Sequence, residues 1–226
     1  MKEQWCIPPK ANAAFVCAME DVLTIYKRPY NPDEPLVCMD ETSKQLTKDT
    51  RQTVQAEPGI PARYDFEYER NGVSNLFMFY EPFGGNRYVS VTDRRTKKDW
   101  ALQIKELLDN HYPNARKVTL VMDNLNTHTG ASLYETFPPD IARGLMDRLE
   151  FHYTPKHGSW LNIAEIELRV IMGQCLNRRI PDKQTLAREV AYWQDQRNSL
   201  QAKVDWQFST GNARIKLKRL YPALLT

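Results

Sequence analysis

Apolar residues recur along this chain in two rhythms. Near the start, Phe15, Met19 and Leu23 return every four residues, which places them on one face of a helix over 12–27. Pro29, Pro32 and Pro35 then end any helix and impose an extended linker. Leu36-Val37-Cys38-Met39 reads as a short buried strand ending at Asp40. A polar stretch follows, in which Pro58-Gly59 and Pro61 mark a long loop. Strands are predicted at 73–80 and 87–91, joined by a hairpin-like turn from Pro82 to Asn86 that contains Gly84-Gly85. A helix over 97–111 carries Trp100, Ile104, Leu107 and Leu108 on one side. Val118-Thr119-Leu120-Val121-Met122 is the clearest buried strand, and it ends at Asp123. A helix at 140–148, a strand at 149–153 and helices at 161–175 and 183–203 complete the pattern.

Three early strands on short links, then strands alternating with helices, predict an α/β fold: a mixed sheet flanked by helices on both faces. The expected organisation is an N-terminal helix and proline-rich linker over 1–35, a central domain over 36–180 and a C-terminal basic helical extension over 181–226.

Composition adds limits to this picture. The 226 residues are 42% hydrophobic and 26% charged, enough for a substantial core and unlike a disordered chain. No apolar run approaches the length of a membrane span, and Met1-Lys2-Glu3-Gln4-Trp5 lacks a signal-peptide core, so a cytoplasmic protein is expected. Cys6, Cys17, Cys38 and Cys175 form no paired motif and read as reduced, mostly packed thiols. Net charge is +3, but 11 basic and 5 acidic residues fall from Glu167 onward, against 20 and 23 before it. An acidic first part and a basic tail suit metal binding in one region and phosphate contact in another. A solvated basic helix explains the tail equally well.

The chemistry concentrates at strand ends. Met39-Asp40-Glu41-Thr42 and Met122-Asp123-Asn124 each set a carboxylate just past an apolar run, at the sheet edge where open α/β folds bind ligands. If the two strands are neighbours, the carboxylates converge, and like charges that close call for a cation such as magnesium or manganese. Each Asp is equally able to cap a following turn. A third element, 153–165, runs from a strand through a turn made by Pro155 and Gly158 into a helix bearing Glu165 and Glu167. Two residues apart, these cannot face the same way, and spacing alone does not choose between them.

The blocks "MDET", "VMDNLNTH" and "TPKHGSWLNIAEIE" resemble the three signature blocks of the mariner-related bacterial insertion-sequence transposases, a DDE family. The similarity runs from about Leu36 to Pro222. It implies a ribonuclease H-like fold, two Mg2+ or Mn2+ ions, and cleavage and rejoining of DNA at transposon ends and target, with a homodimer as a possible assembly and no membrane partner. Carried over position by position, the catalytic and metal-holding triad is Asp40, Asp123 and Glu165. Around it, His128 and Asn124 are candidate auxiliaries: His128 for a scissile phosphate, proton transfer or a structural hydrogen bond. Lys156, His157 and Trp160 are candidates for phosphate contact and base stacking, with Trp160 also readable as core. Arg214, Lys216, Lys218 and Arg219 are periodic enough to form one helix face for phosphates. Residues 1–35 leave almost no room for the helix-turn-helix modules such transposases carry, so the resemblance covers the catalytic domain only.

Two rival readings fit the sequence less well. A haloacid dehalogenase-type phosphatase wants a second acid two residues after the first, where Thr42 stands, and leaves "HGSWLN" unexplained. A silent transposase remnant acting as a DNA-binding or dimerisation module is opposed by the presence of all three acids.

Overall fold

Asn12 starts the first helix: its side-chain oxygen accepts from the Phe15 amide at 2.9 Å, and α1 runs Ala13–Ile25 with Phe15, Met19 and Leu23 buried. The computed structural model describes residues 7–223 apart from 9, 52, 53 and 64, so Cys6 and the extreme N-terminus lie outside the described residues. Of the other cysteines, all free thiols, Cys38 is buried, Cys175 half-buried and Cys17 exposed.

Five strands form one sheet: β1 (Leu36–Asp49), β2 (Tyr68–Glu81), β3 (Asn86–Thr92), β4 (Val118–Met122) and β5 (Leu149–Tyr153). Their order is β3-β2-β1-β4-β5. The first three make an antiparallel meander, and β4 and β5 run parallel to β1. The mixed sheet is the one expected. Period-two alternation sorts its side chains into two layers. Cys38, Met78, Tyr80 and Val121 face a layer built from α1, α5 (Ile163–Gln174), α6 (Lys183–Ser199) and α7 (Thr210–Lys216). Met39, Phe77, Phe79, Leu120 and Met122 face a second layer from α2 (Lys97–Glu106), α3 (Gly130–Tyr134) and α4 (Pro139–Asp147).

Three expectations need correction. β1 does not end at Asp40: it continues through the polar stretch to Asp49, because β2 supplies an antiparallel partner for its backbone as far as Tyr68. Hydropathy cannot register such a strand, since its ladder bonds satisfy the backbone while its side chains meet water. The helix over 97–111 is continuous, but its last turn, Leu107–His111, widens to a π-turn in which the Tyr112 amide donates to the Leu107 carbonyl at 2.9 Å. The helix expected from 161 is a 3-10 turn, Ser159–Leu161, followed by α5 from Ile163.

Candidate active site

β1 outruns β4. The ladder between them stops at Cys38↔Val121, whereas β1 stays paired with β2 at Asp40↔Met78 and beyond. Asp40 therefore stands where one side of β1 has just lost its neighbour, and Asp123 follows the last residue of that neighbour. The two strands are adjacent and parallel, so both acids emerge at one carboxyl edge of the sheet. Asp40 shares the face of Cys38, the face α5 covers.

Asn162 fixes how α5 arrives there. Buried, it accepts from the Ala164 amide at 3.1 Å as N-cap and donates from Nδ2 to the Met39 carbonyl at 2.8 Å. One side chain thus starts the helix and staples it to the residue before Asp40. Glu165, in the first turn, is carried to the same cleft: Asp40, Thr42, Ser159, Glu165, Arg169 and Met172 line an open cavity of about 430 Å³. An adjoining cavity of about 380 Å³ has Trp160, Asn162 and Glu165 on its walls.

The electrostatics are those of crowded acids. Burial first, then the charges of Asp123, Glu41 and Glu165, push the Asp40 carboxyl up to about 7 against the opposing hydrogen bond from the Glu41 amide, 2.8 Å. Glu165 gives one oxygen to Arg169 at 2.7 Å, while its Oε2 is buried with no hydrogen-bond partner. Among the described residues no three Asp, Glu, His or Cys groups already stand at the spacing of a filled metal site. The donor set nevertheless fits a hard divalent cation: carboxylate oxygens only, one orphaned and one raised by burial and then by its like-charged neighbours.

Glu167 is committed elsewhere. It accepts two bonds from the fully buried Arg87, at 2.7 and 3.1 Å, and a third from Arg197 at 2.8 Å. His128 is 1% exposed. Its Nδ1 is 2.6 Å from Asp123 Oδ1, and its Nε2 stands 2.9 Å from Glu41 Oε2, an ion-pair approach at an angle outside a hydrogen bond. Burial alone would lower this imidazole, but the two carboxylates outweigh it and raise it to about 9. Asn124 is exposed beside Asp123.

Lys156 and His157 are exposed on the turn after β5. The left-handed residue of that turn is His157, at φ 64°, not Gly158. Gly158 is needed for closeness instead, since a Cβ there would sit 2.6 Å from the Pro155 ring. Trp160 is half-buried, edge-on to Phe208 with ring centres 5.7 Å apart. The basic tail does not form one helix face. α7 ends at Lys216, and Lys218–Leu220 is a separate 3-10 turn. Arg214 is bound to Glu20 of α1 by two 2.8 Å bonds, and Lys216 lies 6.0 Å over the Phe208 ring. Sequence reasoning passed over Glu41 and Asn162. The signals were an acid adjacent to Asp40 on the opposite strand face and an Asn immediately before the helix.

The profile of the family described as DDE superfamily endonuclease matches residues 35–187. No curated protein matches the chain. Among solved structures it is similar to the Mos1 mariner strand transfer complex, with TM-score 0.61, 17% identity, and 89% of this chain and 60% of that chain covered. It is similar to the Mos1 mariner paired end complex with Mn at TM-score 0.60 and 16% identity, covering 89% and 61%. The catalytic domain of Mos1 mariner transposase gives TM-score 0.54 at 13% identity, covering 89% of this chain and 100% of that domain. The chain thus spans about three fifths of the Mos1 chains in those complexes. At such identities the likeness is one of fold, the ribonuclease H-like mixed sheet flanked by helices.

Proposed function

The chain belongs to the DDE superfamily endonucleases, and from that premise we propose that it is the catalytic domain of a DDE transposase of the bacterial insertion-sequence type, cutting and rejoining DNA. The observation that carries this reading is the shared cleft at the carboxyl edge, where Asp40 and Glu165 line one cavity and Asp123 stands close enough for its charge to raise Asp40. Asp40, Asp123 and Glu165 are the residues that would hold two divalent cations, magnesium or manganese. Such a pair, when bound, supplies activation of the attacking oxygen and neutralisation of the leaving oxygen in phosphodiester transfer.

The protein's own residues do the rest. Asn162 sets the start of α5 so that Glu165 meets the cleft. Arg169, 80% exposed, pairs with Glu165 and can swing to a phosphate. Lys156 and His157 flank the edge as phosphate contacts, which position DNA without reading its bases. Trp160 offers a ring wall to the adjoining cavity. The bacterial assignment rests on the "VMDNLNTH" and "TPKHGSWLNIAEIE" blocks. Because the Mos1 relatives are paired end complexes, a dimer holding two transposon ends is the matching assembly for this chain.

The experiment is a cleavage and strand-transfer assay on labelled duplex DNA, with Mg2+ or Mn2+ and with EDTA. Metal-dependent products lost in Asp40→Asn, Asp123→Asn and Glu165→Gln support the reading. Products that survive EDTA, or all three substitutions, reject it. A folded protein with no product on any duplex leaves the silent DNA-binding remnant as the better description.

A further inference from the structure

Glu41 and His128 take no part in that account, yet both side chains are withdrawn from water, at 4% and 1% exposure. Burying a carboxylate and an imidazole is costly unless each is used. The residue is held through both ring and backbone. Trp100 of α2 stacks over it with centres 5.9 Å apart, its own amide donates to the Leu125 carbonyl at 3.0 Å, and Tyr153 OH of β5 donates to its carbonyl at 2.9 Å. Its two nitrogens face two carboxylates from different strands: Asp123 after β4 at 2.6 Å, and Glu41 of β1 at 2.9 Å.

Resting on the metal-cleft reading above, we propose that His128 is a positioning residue which, braced by Glu41, locks the Asp123 carboxylate and so sets the affinity of the cleft for divalent cations. Asp123 needs such a lock. It lies beyond the last strand residue, its side chain is 36% exposed, and an Asp in that position samples several rotamers, each of which costs entropy to select on binding. With Oδ1 held by the imidazole, Oδ2 is the oxygen left for an ion. His128 touches no substrate, because its ring is buried, with Nδ1 bonded to Asp123 and Nε2 turned to the buried Glu41. Glu41 also borders the Asp40–Glu165 cavity, but it follows Asp40 in β1, and its carboxylate is turned to the other face of the sheet, 2.9 Å from His128. Metal-ligating groups are commonly oriented by partners of this kind, whose loss weakens metal binding about 10–100-fold.

The test titrates Mn2+ alone into the full chain and follows the electron paramagnetic resonance of the free ion, with the melting temperature of metal-free protein recorded beside it. His128→Ala is expected to weaken Mn2+ by on the order of tenfold or more. His128→Asn places an amide donor where Nδ1 stands and is expected to restore most of the affinity. His128→Gln places its amide where Nε2 stands, serving Glu41 and not Asp123, and is expected to stay weak. Glu41→Gln should fall between wild type and His128→Ala. The proposal is overturned if His128→Ala binds Mn2+ as wild type does, if Asn and Gln bind alike or in reverse order, or if Glu41→Gln is weaker than His128→Ala, which would make Glu41 a ligand. Should His128→Ala fail to fold, the order of Asn and Gln decides. Asp123→Asn separates the two levels. If it binds Mn2+ like wild type, the metal-cleft reading falls and this proposal with it. If it loses Mn2+ while His128→Ala does not, the positioning role alone falls.

Discussion

At the scale of single residues, three acids within a short stretch of structure have three different fates. Asp40 is buried among like charges and held up to about 7, well above the usual carboxylate range. Its ionised form is therefore disfavoured in the folded state. Below about pH 4 both states carry the proton and there is no cost. As pH rises the unfolded chain ionises first, so the cost grows and is complete above about 7. Asp40→Asn removes it. In EDTA at pH 8 the variant should resist urea better than wild type by on the order of 1 kcal/mol, and the gain should vanish near pH 4. Added Mg2+ should stabilise wild type at pH 8 and not the variant. Equal urea midpoints at both pH values would show that Asp40 is not held among like charges. Glu165 and Glu167 divide just as sharply. Glu165→Gln alters a partly exposed pair and should cost less than about 0.5 kcal/mol. Glu167→Gln leaves the buried Arg87 guanidinium under-compensated and should cost on the order of 3 kcal/mol. Chemical denaturation of the two variants gives the order, and the reverse order would reassign their roles.

At the scale of elements, the site depends on where α5 begins. The helix could start a residue earlier or later without changing its buried face much, but Glu165 would then leave the cleft. Asn162 removes that freedom by serving the helix through Oδ1 and β1 through Nδ2. Asn162→Ala loses a cap and strands the Met39 carbonyl, so a loss of about 1–3 kcal/mol is expected in thermal or urea unfolding. Asn162→Asp keeps the cap acceptor but not the donor to Met39. It should recover only part of the stability and add a charge where three acids already repel. A neutral result for Asn162→Ala would mean that packing of Ile163 and Ala164 alone places the helix.

At the scale of the whole molecule, the strands meet at one edge and their loops bring charge to it. β3 is antiparallel to β2, as β1 is, so its carboxyl end lies on the same side as Asp40. Thr92 pairs with Asn75, which pairs with Ser43, three residues beyond Asp40. Arg94 and Arg95 follow directly and are exposed. With Lys156 after β5, they place cations on both flanks of an acidic cleft, an arrangement for holding a phosphate backbone across it. The tail is weaker in this role, since Arg214 fastens α7 to α1 through Glu20. If the chain binds duplex DNA as proposed, Arg94→Ala with Arg95→Ala should reduce the log–log salt slope by about 1.8, from roughly 0.9 per phosphate contact. Arg214→Ala should leave the slope unchanged while loosening the α1–α7 contact. A slope lowered by Arg214→Ala and untouched by the arginine pair would move the DNA path to the tail.

The local pattern of the chain determined a good deal of this. Five apolar runs are the five strands, and the periodic segments are the long helices, because burial of a face demands those spacings whatever the topology. Three acids in three motif blocks were also legible, and a following turn and helix marked where Glu165 would sit. Tertiary structure decided what spacing cannot carry. β1 runs nine residues past Asp40 because a partner strand, not its own hydropathy, satisfies its backbone. Glu165 reaches the cleft while Glu167 is sealed against Arg87 because α5 is pinned at one phase to β1, a contact between residues 162 and 39. Glu41 and His128 read as ordinary polar residues in sequence. Only the adjacency of β1 and β4 sets them 2.9 Å apart and gives each a reason to be buried. Periodicity reports which side chains leave water, and the meeting of groups distant along the chain depends on strand order and helix phase, which no local pattern encodes.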